Sequence, residues 1–422
     1  MKVKISLPLC LFILFMFNFG DTFISAARRQ IFHPAQNRID LEKRIQRVEN
    51  GLLPSITNGH PDSTMKLVDR MRSYKTPGVS IAVINDGKLE WARGYGVPEV
   101  GSNKPVTTET LFQACSISKP ISAMAAVYLV QRGRLNLDDD VNQKLVSWRI
   151  PENEFTKDKK VTLRRLLSHT AGITVSGLRG YASDEQVPTL RQILDGIKPA
   201  NSSPVRVDLI PGTQWRYSGG GFLVLQQLLI DVTGNPFPEI MRELVLQKLK
   251  MKHSTYQQPL PMNLRARAAC GHKENGEKVK GDWFIYPEMA AGGLWTTPSD
   301  LARFAIELQR SKAGKSNRVL SAEMVNQMLS GQMEDFPVEM VSKRYGREIR
   351  NQGLGFRLEG KGRSARFSHH GGNEGYRCFL VAYSDLGQGA VVMTNSDNGF
   401  ELVQEIIRSI AKEYGWVDYP FD

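Results

Sequence analysis

The 422-residue sequence predicts an α/β protein of the α+β kind: an antiparallel sheet flanked by helices, set against a mostly helical lobe. Three observations predict it. A β-rich hairpin opens the folded region, apolar segments with helical spacing fill its middle, and four short strand-like runs followed by a helix close it. Strands at both ends of the chain can share one sheet. Residues 64–112 and 290–416 are therefore assigned to a sheet lobe, and 113–289 to a helical lobe, of a single domain spanning 64–416. No low-complexity linker or internal repeat interrupts that span.

Lys2 and Lys4 precede an apolar run from Ile5 to Phe19, and Ser25-Ala26-Ala27 offers small residues for cleavage. This pattern predicts an export signal over 1–27, with the mature chain periplasmic or secreted. A permanent span needs about 20 apolar residues, and none is expected. Residues 28–63 are charged, with Leu41, Ile45, Val48 and Leu52 at helical spacing, and read as an N-terminal helical extension. Val79 to Ile84 is β-rich, and Asn85-Asp86-Gly87 turns it into Leu89 to Arg93. Ile121 to Arg132 is a buried helix stopped by Gly133. Thr162 caps a helix over Leu163 to Ser168; Gly221 to Val232 ends before Gly234; Phe237 to Leu249 makes another. Thr297-Pro298-Ser299-Asp300 carries the cap, first-turn proline and acid of a helix start running through Leu301 to Leu308. Strands follow at Gly353 to Leu358, Ala365 to Phe367, Gly375 to Tyr383 and Gly389 to Thr394, then a helix from Leu402 to Tyr414.

Ser-x-x-Lys occurs three times, at Ser63/Lys66, Ser116/Lys119 and Ser409/Lys412, so context must choose. Ser116 follows the apolar run Leu111 to Cys115 and stands at the N-terminal end of the buried helix, where the dipole favours negative charge. Residues three apart share a helix face, so the Lys119 amine can approach the Ser116 hydroxyl. A serine needs an adjacent base, and a desolvated lysine supplies one. Ser63 reads as a cap after Pro61-Asp62, and Ser409 as a core position among isoleucines.

Ser116-Ile117-Ser118-Lys119, Tyr217-Ser218-Gly219 and His369-His370-Gly371, in that order, resemble the three active-site motifs of the serine β-lactamase and penicillin-binding superfamily. The nearest branch is class C β-lactamase-like, with its DD-peptidases, D-aminopeptidases and family VIII-type esterases. Leu166 to Gly172, Pro211-Gly212, Ala291 to Leu294 and Thr297 to Leu301 fit the same branch, and the resemblance runs from about Asp69 to about Tyr414. It implies a cleft between the lobes in which Ser116 forms an acyl-enzyme, Lys119 takes or depresses the serine proton, and Tyr217 acts as base and later as acid. It implies that His369, at the place lysine takes in Lys-Thr-Gly enzymes, donates to a substrate carboxylate or polarises the tyrosine. His370-Gly371-Gly372 also satisfies His-x-Gly; Phe367-Ser368 and Gly371 favour the frame on His369. Gly371 and Gly372 would let substrate approach the strand, and the N–H groups of Ser116 and Gly372 would form the oxyanion hole. One departure stands out: relatives often carry Asn, which touches a substrate amide, where this chain has Gly219.

The implied activity is that of an exported serine hydrolase cleaving a small amide or ester, DD-peptidase- or D-aminopeptidase-like or an esterase. The alternatives are a β-lactamase and a penicillin-binding sensor without turnover. No cofactor and no metal are expected, and the partner is a small molecule or short peptide, cell-wall fragments included. The formal charge of +12 is scattered rather than blocked, which suits anionic surfaces and gives no nucleic-acid site. Cys115, Cys270 and Cys378 follow the signal; they fit no metal spacing, and Cys115 is expected to be a small buried apolar residue. His169 is expected to be structural. Specificity is expected from the loop 174–188 and from Trp215, Tyr286, Trp295 and Tyr376. Neither a Gly-x-Ser-x-Gly elbow, nor a His-Glu-x-x-His site, nor a phosphate-binding glycine loop is found.

Overall fold

The computed structural model describes residues 34–54, 64–333, 341–342, 347–348 and 351–421. The export segment at 1–27 and Ser63 of the first Ser-x-x-Lys match lie outside them. The chain divides into two compact units, residues 1–43 and 44–422. The described part of the first is the start of helix α1 (Pro34–Asn50), within the expected helical extension.

The second unit is built on a six-stranded antiparallel sheet in the order β2-β1-β10-β9-β8-β7. Its strands are β1 (Gly78–Asn85), β2 (Lys88–Gly96), β7 (Arg357–Glu359), β8 (Arg366–Asn373), β9 (Tyr376–Tyr383) and β10 (Gly389–Thr394). Short pairs are made by β3 (Phe112–Gln113) with β4 (Trp295–Thr296), and by β5 (Val341–Ser342) with β6 (Arg347–Glu348). The β1–β2 turn forms because Asp86 and Gly87 both take positive φ, 50° and 66°, which matches the twist of the strands they join. β1 pairs with β10 from Val79↔Thr394 to Ile84↔Gly389, so the two ends of the chain share one sheet, as the order of elements predicts. Val79 to Ile84 are all buried, because helices cover both faces. Ala82 and Ile84 join the main core with Leu301 and Phe304 of α10 (Pro298–Lys312), while α12 (Gly399–Glu413) packs on β9 and β10 through its apolar stripe.

The other helices are α2 (Leu67–Ser73), α3 (Ser118–Gln131), α4 (Leu163–Leu167), α5 (Leu190–Asp195), α6 (Gly219–Thr233), α7 (Phe237–Met241), α8 (Met262–Arg265), α9 (Met289–Gly292) and α11 (Ala322–Met328). Thr162 and Thr297 cap α4 and α10 with their side chains, as their positions predict. The middle of the chain is less helical than expected. Much of 135–215 is loop held by side chains, for example the reciprocal bonds between the Asn142 amide and the backbone of Ile150. The segment 237–249 divides into α7 and a π-helical turn, Arg242–Leu246.

Two strand expectations are corrected. Gly353 to Leu358 is extended only from Arg357, because Gly355 turns at φ 85° and packs against Pro120 and Ala123 of α3. Of the run Ala365 to Phe367, Arg366 and Phe367 begin a longer strand, β8, which carries the whole His-His-Gly-Gly run. Ser409 of the third Ser-x-x-Lys match is buried in α12, its hydroxyl donating to Val48 O at 2.8 Å. That match is packing.

Candidate active site

Ser116 lies in a single 3-10 turn, Cys115–Ile117, just ahead of α3 rather than in its first turn. Cys115 holds this turn at φ 53°, a left-handed conformation unusual for a non-glycine residue. The strain is held from several sides. Ala114 N–H donates to Leu294 O at 2.8 Å, Ser118 Oγ donates to Cys115 O at 2.6 Å, and Ser118 Oγ accepts from Leu294 N–H at 3.1 Å. Cys115, as expected, is fully buried. Ser116, flanked by buried residues, is half-buried.

Lys119, one turn into α3, brings Nζ to 3.2 Å from Ser116 Oγ and donates to Ala291 O of α9 at 2.8 Å. Its side chain is buried between rings, with Nζ 4.9 Å from the Tyr217 ring centre and 5.6 Å from that of Phe222. Burial, opposed by the nearby Cys115 thiol, pushes the ammonium down to about 7. A neutral amine beside a serine hydroxyl can accept its proton.

Tyr217 precedes α6, whose N-cap Ser218 accepts Gly221 N–H at 2.9 Å and donates to Thr174 O at 2.9 Å. The loop 174–176 crosses this helix start: Gly220 N–H donates to Val175 O and Gly219 N–H to Ser176 O. A side chain at 220 would strike Thr174 O at 2.5 Å, which explains a glycine there. At 219, the site of the departure from relatives, a Cβ would press on Leu178 at 3.1 Å. The space an asparagine would enter is thus bordered by an apolar side chain of the loop. Val175, β-branched, sits at φ 63° in that loop.

β8 closes the other side. β7 pairs with it only as far as Ser368, so from His369 onward this edge of β8 has no strand partner among the described residues. The two histidines separate cleanly. His370 stacks on Phe379 with ring centres 4.0 Å apart, on the face away from the tyrosine. His369 is buried, with its ring centre 6.4 Å from that of Tyr217, so of the two histidines it is the one beside the tyrosine. Its Nδ1 lies 2.6 Å from His370 O. A carbonyl can only accept, so Nδ1 carries the proton and Nε2 keeps a lone pair. Burial, aided by the Lys119 charge, pushes the imidazolium down to about 3. With Nδ1 donating to His370 O and the ring held neutral, Nε2 is left as an acceptor, which suits an interaction with the tyrosine hydroxyl better than donation to a carboxylate.

Gly371 and Gly372 also part ways. A Cβ at 371 would meet Cys378 Sγ at 2.3 Å, Ala114 O at 2.6 Å and Cys115 Cβ at 2.9 Å, so this glycine lets the serine turn abut β8. At 372 the nearest atoms, of Arg377, are 3.7 Å away. Tyr286, Trp295 and Tyr376, expected to shape specificity, are core instead. Each is fully buried, Trp295 and Tyr376 stack edge-on at 5.9 Å, and Tyr376 OH donates to Ala269 O. Trp215 is half-buried, with its ring centre 6.5 Å from that of Tyr217. His169 touches the site more closely than expected, its ring centre 4.5 Å from that of Tyr217.

The three cysteines are buried free thiols. Glu99, Cys270 and Asp282 bring donor atoms within 4.8 Å of one another. Lys278 already places its ammonium 2.7 Å from both carboxylates, and burial raises the Cys270 thiol to about 12. That cluster is a salt-bridge network with its own cation.

Residues 65–414 match the model of the Beta-lactamase family. The chain is 29% identical over 295 residues to a β-lactamase of Pseudomonas fluorescens, covering 66% of this chain and 75% of that protein. It is 25% identical over 256 residues to a teichoic acid D-alanine hydrolase of Staphylococcus aureus, covering 60% and 59%. Its fold is similar to that of the octameric penicillin-binding protein homologue of Pyrococcus abyssi, with TM-score 0.66, 24% identity, and coverage of 83% and 76%. The family match and a buried lysine set against a serine lead to one conclusion: this chain belongs to the β-lactamase family and is a serine hydrolase.

Proposed function

We propose that Ser116 is the nucleophile of an exported acyl-enzyme hydrolase whose substrate is a small ester or amide with no free carboxylate beside the scissile bond. The observation that carries this is the Lys119 amine 3.2 Å from the Ser116 hydroxyl, where burial pushes its ammonium down to about 7. The Ser116 proton passes to Lys119, assisted by Tyr217, as Oγ bonds to the substrate carbonyl carbon. The N–H groups of Ser116 and Gly372 hold the resulting oxyanion, each such donor being worth about 3 kcal/mol of barrier. The bond to the leaving group breaks as the Tyr217 hydroxyl gives it a proton and recovers one from the Lys119 ammonium, and water then cleaves the acyl-enzyme by the reverse relay.

Two features support a substrate without a carboxylate. His369 keeps a lone pair where Lys-Thr-Gly relatives carry a cation, and Leu178 borders the space where relatives carry an amide side chain. An ester of D-alanine, the group named for the Staphylococcus aureus relative, meets both conditions, and a chain of charge +12 suits a polyanionic carrier. Export rests on the basic residues and apolar run of 1–27.

The test is a panel of D-alanyl esters, short-chain nitrophenyl esters, D-Ala-D-Ala peptides and a chromogenic cephalosporin, run on the wild type beside Ser116→Ala. Turnover of esters above the carboxylate-bearing peptides, lost in Ser116→Ala, is expected. Faster hydrolysis of the cephalosporin would make the protein a β-lactamase, and a long-lived Ser116 adduct in intact-mass spectra would make it a sensor. Ester turnover that survives Ser116→Ala would remove the nucleophile assignment.

A further inference from the structure

We infer that His169 is a positioning residue, which fixes the Tyr217 ring against the Lys119 amine by gripping the chain on both sides of it. His169 accepts at two points: its carbonyl O takes the Arg216 N–H at 2.8 Å, and its Nδ1 takes the Ser218 N–H at 3.2 Å. Between those two anchors its ring lies against the tyrosine ring itself, with centres 4.5 Å apart and planes tilted by 38°. Three consecutive residues, 216, 217 and 218, are thus tied to one side chain and its own peptide.

The backbone is set for this. His169 stands just past the end of α4 at φ 61°, a conformation that directs both acceptors toward the approaching strand of chain. Because Nδ1 accepts, the neutral ring carries its proton on Nε2, which is buried and has no hydrogen-bond partner. No hydrogen bond fixes that side of the ring. Packing does, with Phe222 at 5.4 Å and Trp215 at 6.2 Å between ring centres. Phe222 also flanks the Lys119 amine, so one aromatic cluster registers the histidine, the tyrosine and the lysine together. Burial first, then the charge of Lys119, holds His169 uncharged, which suits a group whose work is geometric. The ring is not placed on the reacting atoms, and its effect passes through Tyr217.

This rests on the reading of Tyr217 as the proton-transfer group, and a double-mutant cycle separates the two. The variants are His169→Gly, His169→Asn, Tyr217→Phe and the two combinations with Tyr217→Phe, assayed on a short-chain nitrophenyl ester. Glycine tolerates the left-handed backbone and keeps the carbonyl acceptor but lacks the ring and its Nδ1; asparagine tolerates it and keeps an acceptor at the Nδ1 place. His169→Gly is expected to lower kcat about 100-fold with KM within threefold of wild type, and His169→Asn to recover to within about tenfold of wild type. In the Tyr217→Phe background, His169→Gly should cost less than threefold further, since the group it positions is already gone. Should His169→Gly fail to fold, His169→Asn gives the same cycle on a smaller scale, about tenfold in wild type against less than twofold in Tyr217→Phe. Equal losses in both backgrounds would reduce His169 to general scaffolding, as would an unchanged kcat in His169→Gly. An unchanged kcat in Tyr217→Phe alone would instead remove the role of the tyrosine, and this inference with it.

Discussion

Lys119 carries a cost and a function in the same atom. Its folded pKa, about 7, lies below the ordinary lysine value, so between about pH 7 and 10.5 the unfolded chain binds the extra proton. Stability contributed through this group therefore rises with pH across that window, and the full penalty is present below it. Lys119→Met is expected to abolish turnover, by 1000-fold or more, while raising the unfolding free energy at pH 7 by on the order of 1–3 kcal/mol. In urea titrations that gap should narrow between pH 7 and pH 10. Activity has the matching sign: the neutral amine is the base, so kcat/KM should climb about tenfold per pH unit up to about 7 and then level off. An acid limb centred near 4 would point to a carboxylate instead. The pairing of Ser116 with Lys119 is legible in the sequence because helical spacing alone puts residues three apart on one face. The tautomer of His369 is not legible, because the His370 carbonyl that dictates it is placed by backbone geometry, not by residue type.

At the level of elements, the strand edge is where sequence reading and structure diverge most usefully. Gly371-Gly372 reads as two equivalent openings toward a substrate. Only Gly372 is open; Gly371 is where Ala114, Cys115 and Cys378 close against β8. Gly371→Ala is expected to cost about 2–4 kcal/mol of stability, with a clear fall in melting temperature, because backbone and sulfur must both retreat. Gly372→Ala should melt within about 2 °C of wild type, a change of under 0.5 kcal/mol, and show any loss in kcat. Reversal of that order in a paired melting and kinetic experiment would contradict the packing described. Turns and caps such as Asp86-Gly87, Thr162 and Thr297 were readable since their signals are local. The roles of Tyr286, Trp295 and Tyr376 were not, because an aromatic in a core and one lining a cleft look alike until partners 80 or more residues away are known.

Across the whole molecule, closure depends on the two ends of the catalytic unit meeting twice. The sheet joins them through β1 and β10, and the order hairpin, helices, strands is enough to foresee that. The second meeting could not be foreseen, because any of many acids could pair with any of many bases. Arg70 of α2 forms a two-pronged ion pair with Glu405 of α12, its Nε donating to Oε2 at 2.7 Å, and Tyr74 OH donates to Oε1 at 2.7 Å. Glu405 is 1% exposed and Arg70 15%, so the carboxylate has no water to fall back on and the guanidinium has little. Removing one partner strands the other in a poorly solvated place, which costs about 3–5 kcal/mol, whereas replacing both with apolar groups of like size is often neutral. Glu405→Leu is therefore expected to lower the urea midpoint by an amount equivalent to about 3 kcal/mol. It should leave kcat of the folded fraction near wild type, because the pair lies outside the serine–lysine–tyrosine cluster. Arg70→Met added to Glu405→Leu should recover most of that loss. If the double variant is as unstable as the single one, the pair holds the two helices together through its geometry rather than by satisfying a buried charge. The apolar contacts of α12 with β9 and β10 would then be insufficient to seat the helix alone.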